Sequence, residues 1–214
     1  MFDNTEIAQQ VAEFLLQIKA IKLQPNNPFT WASGWKSPIY CDNRITLSHP
    51  TIRTYIRQQL TRLIQEEFGS VGVIAGVATA GIPQGALVAQ ELGLPFIYVR
   101  SKPKEHGTGS LIEGDSSLSG KRAVVIEDLI STGKSSLQAV NALRDAGYDV
   151  AGLAAIFSYG FDVATENFKN ANCPFFTLSN YSALIKYAAE NQYISEADVE
   201  LLTKWREDPS NWGR

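Results

Sequence analysis

Apolar residues recur at helical spacing near the start of the chain and again after residue 48. One face of the first predicted helix carries Ile7, Val11, Phe14, Leu15 and Ile18. A second helix is predicted from Ser48, a candidate N-cap, and Pro50 in its first turn, and its apolar positions continue to Phe68. Both helices are amphipathic, so each is expected to cover another layer of structure.

After Phe68 the pattern changes to short apolar runs that alternate with turns and helical stretches. Strands are predicted at residues 71–75, 95–99, 123–126, 149–157 and 174–178. Helices are predicted from about Ile82, after the loop that ends near Ser136, and in the C-terminal third. Short, wholly apolar runs are typical of central parallel strands covered on both faces. The chain therefore predicts an α/β fold with a doubly wound, mostly parallel sheet, whose ligands gather at the strands' carboxyl ends.

Residues 25–43 mix Pro, Asn, Gly and Ser with four aromatic side chains, which predicts a lid or hood, with a packed loop as the alternative. At 214 residues, with 44% hydrophobic and 19% charged residues, the chain suits one domain. We expect a single domain over residues 1–214, with a core at about 70–180. Residues 1–45 and the C-terminal helices are expected to form or support the hood.

Charge and cysteine usage narrow the class of protein. A net charge of -3 argues against a nucleic-acid-binding protein, because such proteins normally carry a net basic face. A small anionic substrate is still possible, since it needs only a few local cations. Cys41 and Cys173 lie far apart without metal-ligand spacing, which suits reduced thiols used in packing. The acidic N-terminus and the lack of a long apolar run predict a cytoplasmic protein with neither a signal peptide nor a membrane partner.

Residues 124–136 combine an apolar run, two acids and a small-residue loop. Glu127 and Asp128 follow the run, and a Ser/Thr/Gly loop then leads into a predicted helix. Backbone N–H groups of such a loop can turn towards one phosphate, where the helix dipole favours negative charge. Neighbouring carboxylates can accept hydrogen bonds from two ribose hydroxyls and stabilise positive charge on the sugar. The segment predicts a cradle for a ribose 5-phosphate.

This segment has two other interpretations. Glu127 and Asp128 could be ordinary turn residues, with the aspartate near a helix N-cap, but the surrounding loop favours the cradle. Gly133, Lys134 and Ser135 also match the end of an ATP-binding P-loop. That motif requires a glycine five residues before Gly133, and the carboxylate of Asp128 at that position would repel the phosphates.

Two further loops follow predicted strands. Residues 76–83 form a turn of small residues, which could let backbone amides approach a leaving group or could be ordinary turn chemistry. Residues 100–109 carry Arg100, Lys102, Lys104 and His106, followed by glycines. This second loop predicts a mobile anion-binding segment, with a solvated charged turn as the alternative.

An apolar strand, two acids and a Ser/Thr/Gly loop together resemble the fingerprint of the type I phosphoribosyltransferase family. The resemblance implies that the two acids hold the ribose 2′- and 3′-hydroxyls of phosphoribosyl pyrophosphate (PRPP), and that residues 131–135 hold its 5′-phosphate. The residues so assigned to PRPP are Glu127, Asp128, Leu129, Ile130, Ser131, Thr132, Gly133, Lys134 and Ser135. The turn containing Thr79, Ala80 and Gly81 resembles the family's pyrophosphate loop.

Within this family, two stretches resemble the enzymes specific for orotate. Residues 29–44 match an N-terminal motif of Phe-Thr, Ser-Gly and Ser-Pro, and the likeness extends to residues 205–209. Arg100, Lys104 and His106 match a loop that closes over pyrophosphate in the neighbouring subunit, and Lys102 is assigned to PRPP with them. On the family pattern, Ser131 also touches orotate.

The resemblance implies transfer of the 5-phosphoribosyl group from PRPP to orotate, giving orotidine 5′-monophosphate and pyrophosphate in de novo pyrimidine (UMP) biosynthesis. Lys104, His106 and Asp128 are the expected catalytic residues. Mg²⁺ is expected to arrive bound mainly to PRPP, so no metal ligands are assigned in the chain. The expected partners are the two small substrates and a second copy of the chain in a homodimer with shared active sites.

The chain departs from the orotate pattern at several positions. Several orotate enzymes carry lysines at three positions that here are Ala32, Ala80 and Ser101. They also carry an arginine for the orotate carboxylate near residues 158–161, which this chain lacks. The carboxylate contacts stay unassigned, with Lys36 and Lys102 as candidate sources of compensating charge. A purine phosphoribosyltransferase and a PRPP-sensing regulator are the alternatives, although a regulator would need a basic nucleic-acid face.

Overall fold

The computed structural model describes residues 4–31, 33–102 and 110–212. Its helices are α1 (Thr5–Gln17), α2 (Pro50–Phe68), α3 (Gly81–Leu92), α4 (Lys134–Asp145), α5 (Asp162–Asn170), α6 (Tyr181–Glu190) and α7 (Glu196–Glu207). Its strands are β1 (Ile21–Leu23), β2 (Phe29–Thr30), β3 (Lys36–Ser37), β4 (Ile39–Cys41), β5 (Val73–Val77), β6 (Phe96–Val99), β7 (Ile112–Glu113), β8 (Arg122–Ile130), β9 (Asp149–Ser158) and β10 (Phe175–Asn180). Across these residues, every helix is too short or too polar to cross a membrane.

A six-stranded sheet in the order β10-β9-β8-β5-β6-β7 forms the centre of the fold. Neighbouring strands run parallel except for β7, which pairs antiparallel with β6 at the edge. The chain leaves β5 towards β6 on one side and returns to β8 on the other, so the strand order reverses between β5 and β8. In open α/β sheets, the crevice at such a reversal is where ligands bind. The predicted doubly wound, mostly parallel sheet is confirmed.

Both faces of the sheet are covered, because successive strand residues point to opposite sides. On one face, Ile74, Val124 and Ile156 pack in a core with apolar residues of α1, α2, α6 and α7. On the other face, Val73 and Val125 pack with apolar residues of α4 and α5. These two cores explain why the central strands read as unbroken apolar runs rather than as alternating patterns.

Several predicted boundaries differ from the structure, among them those of β5, β8 and α2. β5 (Val73–Val77) begins and ends two residues later than predicted. Gly76 therefore lies in the strand rather than in the following turn. β8 continues through the two acids to Ile130, because β9 pairs with it that far while β5 stops pairing at Ile126. The N-cap of α2 is His49, which makes no side-chain capping hydrogen bond, and not Ser48.

The segment before α2 folds into two small antiparallel pairs, β1 with β4 and β2 with β3. It packs against the C-terminal helices through Trp205 of α7, a fully buried side chain whose indole Nε1 donates to the Lys36 carbonyl at 3.3 Å. The rings around Trp205 are those of Trp31, Tyr159, Phe161 and Tyr181. The beginning and end of the chain therefore meet beside the carboxyl end of β9.

Candidate active site

A cavity of about 510 Å³ opens at the reversal between β5 and β8. It is called the strand-end cavity below, and its lining residues are Ala78, Thr79, Ala80, Glu127, Asp128, Leu129, Ser131, Thr132, Gly133, Lys134, Ser135, Ser136 and Gln138. The structure thus brings most of the ribose-phosphate segment together with three residues of the small-residue turn, Ala78, Thr79 and Ala80. Two segments some fifty residues apart in sequence share one cavity because β5 and β8 are hydrogen-bonded neighbours.

The two acids lie side by side at the cavity wall but differ in their surroundings. Glu127 is 5% exposed, and its carboxylate accepts hydrogen bonds from the Asp128 backbone N–H at 3.0 Å and from Ser136 Oγ at 3.2 Å. Burial and the neighbouring Asp128 charge raise the pKa of Glu127 well above its ordinary range. Burial also raises the pKa of Asp128, although Glu127 and Arg44 partly offset that rise. The pKa values of both carboxyls are therefore raised above their ordinary range.

The loop after β8 leads directly into α4. Gly133 has a φ of 76°, in the left-handed region, and a Cβ there would meet the ring of Phe168 at 2.7 Å, so the loop needs glycine at this position. The first N–H groups of α4 have no acceptor within the helix and can bind an anion. From α5, Asn167 Nδ2 donates to the Thr132 carbonyl at 3.0 Å and holds the loop from outside.

The small-residue turn between β5 and α3 lies against the end of β8. Its peptide bond between Ala78 and Thr79 is cis. Gly81 is buried, and a Cβ on it would collide with the carbonyl oxygen of Ile126. Only glycine lets the first turn of α3 approach β8 this closely, which sets the turn beside the two acids.

The remaining predicted PRPP residues fall elsewhere. Ile130 is fully buried in the core on the α4 side and does not line the strand-end cavity. Arg100 lies at the end of β6, where its Nη1 is 3.3 Å from Glu113 Oε1, and lines an adjoining cavity of about 380 Å³. Lys102 is exposed. The predicted catalytic residues Lys104 and His106 lie outside the described residues, as does Ala32 of the N-terminal motif.

A third, smaller cavity of about 260 Å³, called the hood slot, also adjoins the strand-end cavity. Its lining residues are Thr30, Trp31, Tyr40, Cys41, Leu129, Ser131 and Tyr159. Leu129 and Ser131 line both cavities, so the two spaces meet at the loop after β8. At the exposed edge of the slot, Lys36 Nζ donates to Thr30 Oγ1 at 2.7 Å.

Some lining residues were not assigned from the sequence. Gln138 follows Lys134 by one helical turn, so its spacing could have placed it on the same face of α4. Cys41, for which the sequence predicts a packing role, lines the hood slot, while Cys173 is buried in the core. No local signal marks Tyr159 as a slot residue, because the packing of its ring against Trp31 is long-range.

The carboxylates of the strand-end cavity suit Mg²⁺ bound mostly by other groups. Within residues 4–31, 33–102 and 110–212, no cluster of three or more His, Cys, Asp or Glu side chains could hold a metal ion. Mg²⁺ in phosphate-handling sites binds one or two carboxylates and completes its shell with waters and substrate oxygens. Glu127 and Asp128 fit that limited role.

A known protein family matches most of the chain. The model of the phosphoribosyl transferase domain matches residues 47–188, more than half of the chain and all of the strand-end cavity. The fold, the cavity and this match together define a phosphoribosyltransferase.

Individual relatives show which kind of phosphoribosyltransferase this chain is similar to. The chain is 60% identical to the orotate phosphoribosyltransferase of Bacteroides thetaiotaomicron over 201 residues, which cover 94% of each chain. It is similar to the solved orotate phosphoribosyltransferase of Aeropyrum pernix, with 26% identity, a TM-score of 0.74, and coverage of 86% of this chain and 99% of that one. The solved UMP synthase of Leishmania donovani matches with 26% identity and a TM-score of 0.76 over 92% of this chain, which spans 42% of that longer protein. The chain belongs to the orotate phosphoribosyltransferase family.

Proposed function

We propose that this enzyme transfers the 5-phosphoribosyl group from PRPP to orotate, giving orotidine 5′-monophosphate and pyrophosphate in pyrimidine biosynthesis. The observation that carries the proposal is the strand-end cavity, where the buried Glu127, the half-buried Asp128, a helix N-terminal loop and a turn of small residues meet. PRPP needs these three features for its ribose hydroxyls, its 5′-phosphate and its pyrophosphate. The family membership of the chain supports orotate as the acceptor.

Each substrate group has a proposed partner. Asp128 and Glu127 accept the ribose hydroxyls, and residues 131–135 bind the 5′-phosphate through backbone N–H groups. The pyrophosphate lies against the turn formed by Thr79, Ala80 and Gly81, with Arg100 and Lys102 nearby. The base enters the hood slot, where Ser131 can contact both substrates because it lines both cavities. Residues 1–45 and the C-terminal helices form the hood over that slot.

The proposed chemistry rests on position and charge. Orotate is already an anion, so attack on C1′ requires no strong general base in the protein. As the bond to pyrophosphate lengthens, the sugar gains oxocarbenium character, which the negative charge of Asp128 stabilises. Lys104 and His106, carried on the loop after Arg100, neutralise the leaving group. Mg²⁺, when bound with PRPP, supplies further charge neutralisation to the pyrophosphate oxygens.

A base-turnover assay tests the acceptor. Purified protein with Mg²⁺ and PRPP should consume orotate, which is followed by its ultraviolet absorbance, and should leave adenine and hypoxanthine unchanged. Consumption of a purine in place of orotate would make the enzyme a purine phosphoribosyltransferase. Tight PRPP binding without turnover of any base would instead favour a PRPP-sensing regulator.

We also propose a homodimer in which the loop bearing Lys104 serves the partner's cavity. Mixed dimers of a Lys104→Ala chain and an Asp128→Asn chain should regain activity, because one of the two sites then combines an intact loop with an intact acid pair. Complete inactivity of the purified heterodimer would argue against sharing. Each homodimeric variant provides the baseline.

A further inference from the structure

Asp128 lies just beyond the point where its strand loses a neighbour. β5 pairs with β8 only as far as Ile126, whereas β9 continues to Ile130. In a parallel ladder, the backbone groups of alternate residues point to the same side, so those of Asp128 point to the side that β5 no longer covers. A backbone group buried without a partner is costly. The two groups of Asp128 are instead met by side chains.

One of these side chains comes from a distant part of the chain. The Asp128 N–H donates to Glu127 Oε1 at 3.0 Å, and the Asp128 carbonyl accepts a hydrogen bond of 2.7 Å from Asn43 Nδ2. Asn43 is 1% exposed and lies two residues after β4, whose residues Tyr40 and Cys41 line the hood slot. Its other amide atom, Oδ1, lies 3.4 Å from Cys41 Sγ, which can donate to it. Both ends of the Asn43 amide are thus engaged.

The network continues from Asn43 to α3. Thr46 Oγ1 donates to the Asn43 carbonyl at 2.6 Å, and Gln84 Nε2 donates to Thr46 Oγ1 at 3.2 Å. Thr46 and Gln84 are buried as completely as Asn43. Since α3 begins at Gly81, the network joins the helix behind the small-residue turn to the carboxyl end of β8. Buried polar networks of this kind rigidify the groups they connect.

We infer that Asn43 is a positioning residue, which holds the main chain of Asp128 so that the Asp128 carboxylate faces the ribose. Through Asn43, the position of Asp128 is also linked to the wall of the hood slot. This inference rests on the proposed function, in which Asp128 binds the ribose of PRPP. Asn43 itself lines neither the strand-end cavity nor the hood slot. Loss of the Asn43 side chain should therefore act by changing the orientation of the Asp128 carboxylate. A small misplacement of such a group can lower the reaction rate up to about 100-fold.

The test compares asparagines with different surroundings. Asn43→Ala removes the donor and shortens the side chain, and Asn43→Leu removes the donor while keeping a side chain of similar size. Asn180→Ala is the matched control, because Asn180 caps α6 by accepting from the Ala183 N–H at 3.0 Å, away from both cavities. Binding of PRPP with Mg²⁺ is measured by titration calorimetry without orotate, and melting midpoints are measured in parallel.

Both Asn43 variants should raise the Kd for PRPP by roughly 10- to 100-fold and lower kcat. Asn180→Ala should lower the melting midpoint and leave the Kd within about twofold, so lost stability alone does not account for the effect. A PRPP Kd within about twofold of wild type in either Asn43 variant would overturn the inference. Failure of the proposed function would instead appear as wild-type protein that leaves orotate unchanged, whichever value the Asn43 variants give.

Discussion

Ser136 Oγ donates a hydrogen bond of 3.2 Å to Oε2 of Glu127, joining the first turn of α4 to the buried carboxylate at the end of β8. Glu127 also accepts from the Asp128 N–H, so this carboxylate orders the wall of the strand-end cavity. Because Glu127 is buried beside Asp128, its pKa is raised in the folded protein. The folded state therefore binds this proton more tightly than the unfolded chain does.

The raised pKa of Glu127 predicts a specific pH trend in stability. A carboxyl whose pKa is higher when folded contributes fully below its unfolded pKa, and this contribution is lost as pH rises through the folded pKa. Glu127→Gln keeps an acceptor for Ser136 and removes the ionisation. Its melting midpoint minus that of wild type should therefore increase, by roughly 2 to 6 °C, between about pH 5 and about pH 8 without substrates.

Ser136→Ala provides the complementary variant for this trend. The Ser136 hydrogen bond lowers the pKa of Glu127 in part, so its loss should deepen the destabilisation at high pH more than at low pH. A difference between Glu127→Gln and wild type that stays level across this pH range would contradict the burial argument.

Asn167 is expected to support the phosphate loop. Asn167→Ala removes the 3.0 Å hydrogen bond from α5 to the Thr132 carbonyl, which frees the loop that precedes α4. The Kd for PRPP should rise roughly 10-fold while KM for orotate changes little, because the lost hydrogen bond supports only the loop proposed to bind the 5′-phosphate. Asn170→Ala, at an exposed position on the same helix, is the control and should leave both values near wild type. Equal effects of the two variants would remove Asn167 from this role.

Gly81 should tolerate no side chain. In Gly81→Ala the new Cβ would collide with the Ile126 carbonyl oxygen, so α3 or the end of β8 must shift. We expect a loss of about 1–3 kcal/mol in the free energy of unfolding and a loss of activity of about 100-fold. Gly72→Ala is the control, since its Cβ would mainly meet the side chain of Lys121 at 3.3 Å. Urea unfolding and steady-state kinetics measure both effects, and a fully active Gly81→Ala enzyme would refute the close-approach argument.

Lys36 is the cation that we expect to recognise the orotate carboxylate. It hydrogen-bonds to Thr30 of the hood slot, and the arginine expected near residues 158–161 is absent from the sequence. Lys36→Met keeps the aliphatic stem and removes the charge, so kcat/KM for orotate should fall roughly 10- to 100-fold. Competitive inhibition by uracil, which lacks the carboxylate, should change little.

Lys22→Met serves as the control for Lys36, since Lys22 is an exposed lysine of β1 in the same part of the chain. Equal weakening of orotate turnover and of uracil inhibition in Lys36→Met would show that Lys36 supports the structure of the hood and does not recognise the carboxylate. An effect of Lys22→Met as large as that of Lys36→Met would point to general charge in the hood.

Local patterns in the sequence were sufficient for the central strands and for the ribose-phosphate segment. Val124, Val125 and Ile126 form an unbroken apolar run because a parallel strand covered on both faces needs apolar side chains in both directions. The acids and the small-residue loop after them are equally local, since a strand, a turn and a helix N-terminus are consecutive in the chain. Their assignment to PRPP, together with that of Lys104 and His106, stays a prediction.

Strand ends and caps were less predictable. β8 runs on through Glu127 and Asp128 because β9 continues to pair there, and the sequence of β8 carries no mark of its partner's length. His49 takes the N-cap position of α2 without a capping side chain because Pro50 already sets the first turn.

By itself, the sequence determined the strand-turn-helix order, the chemistry of residues 124–136 and the motif that resembles orotate enzymes. Only the tertiary structure decided which distant residues meet. Asn43 reaches Asp128 across 85 positions, and Trp205 reaches Lys36 across 169. Such contacts depend on how whole helices and strands pack against one another, whereas propensity and periodicity report only on neighbours along the chain.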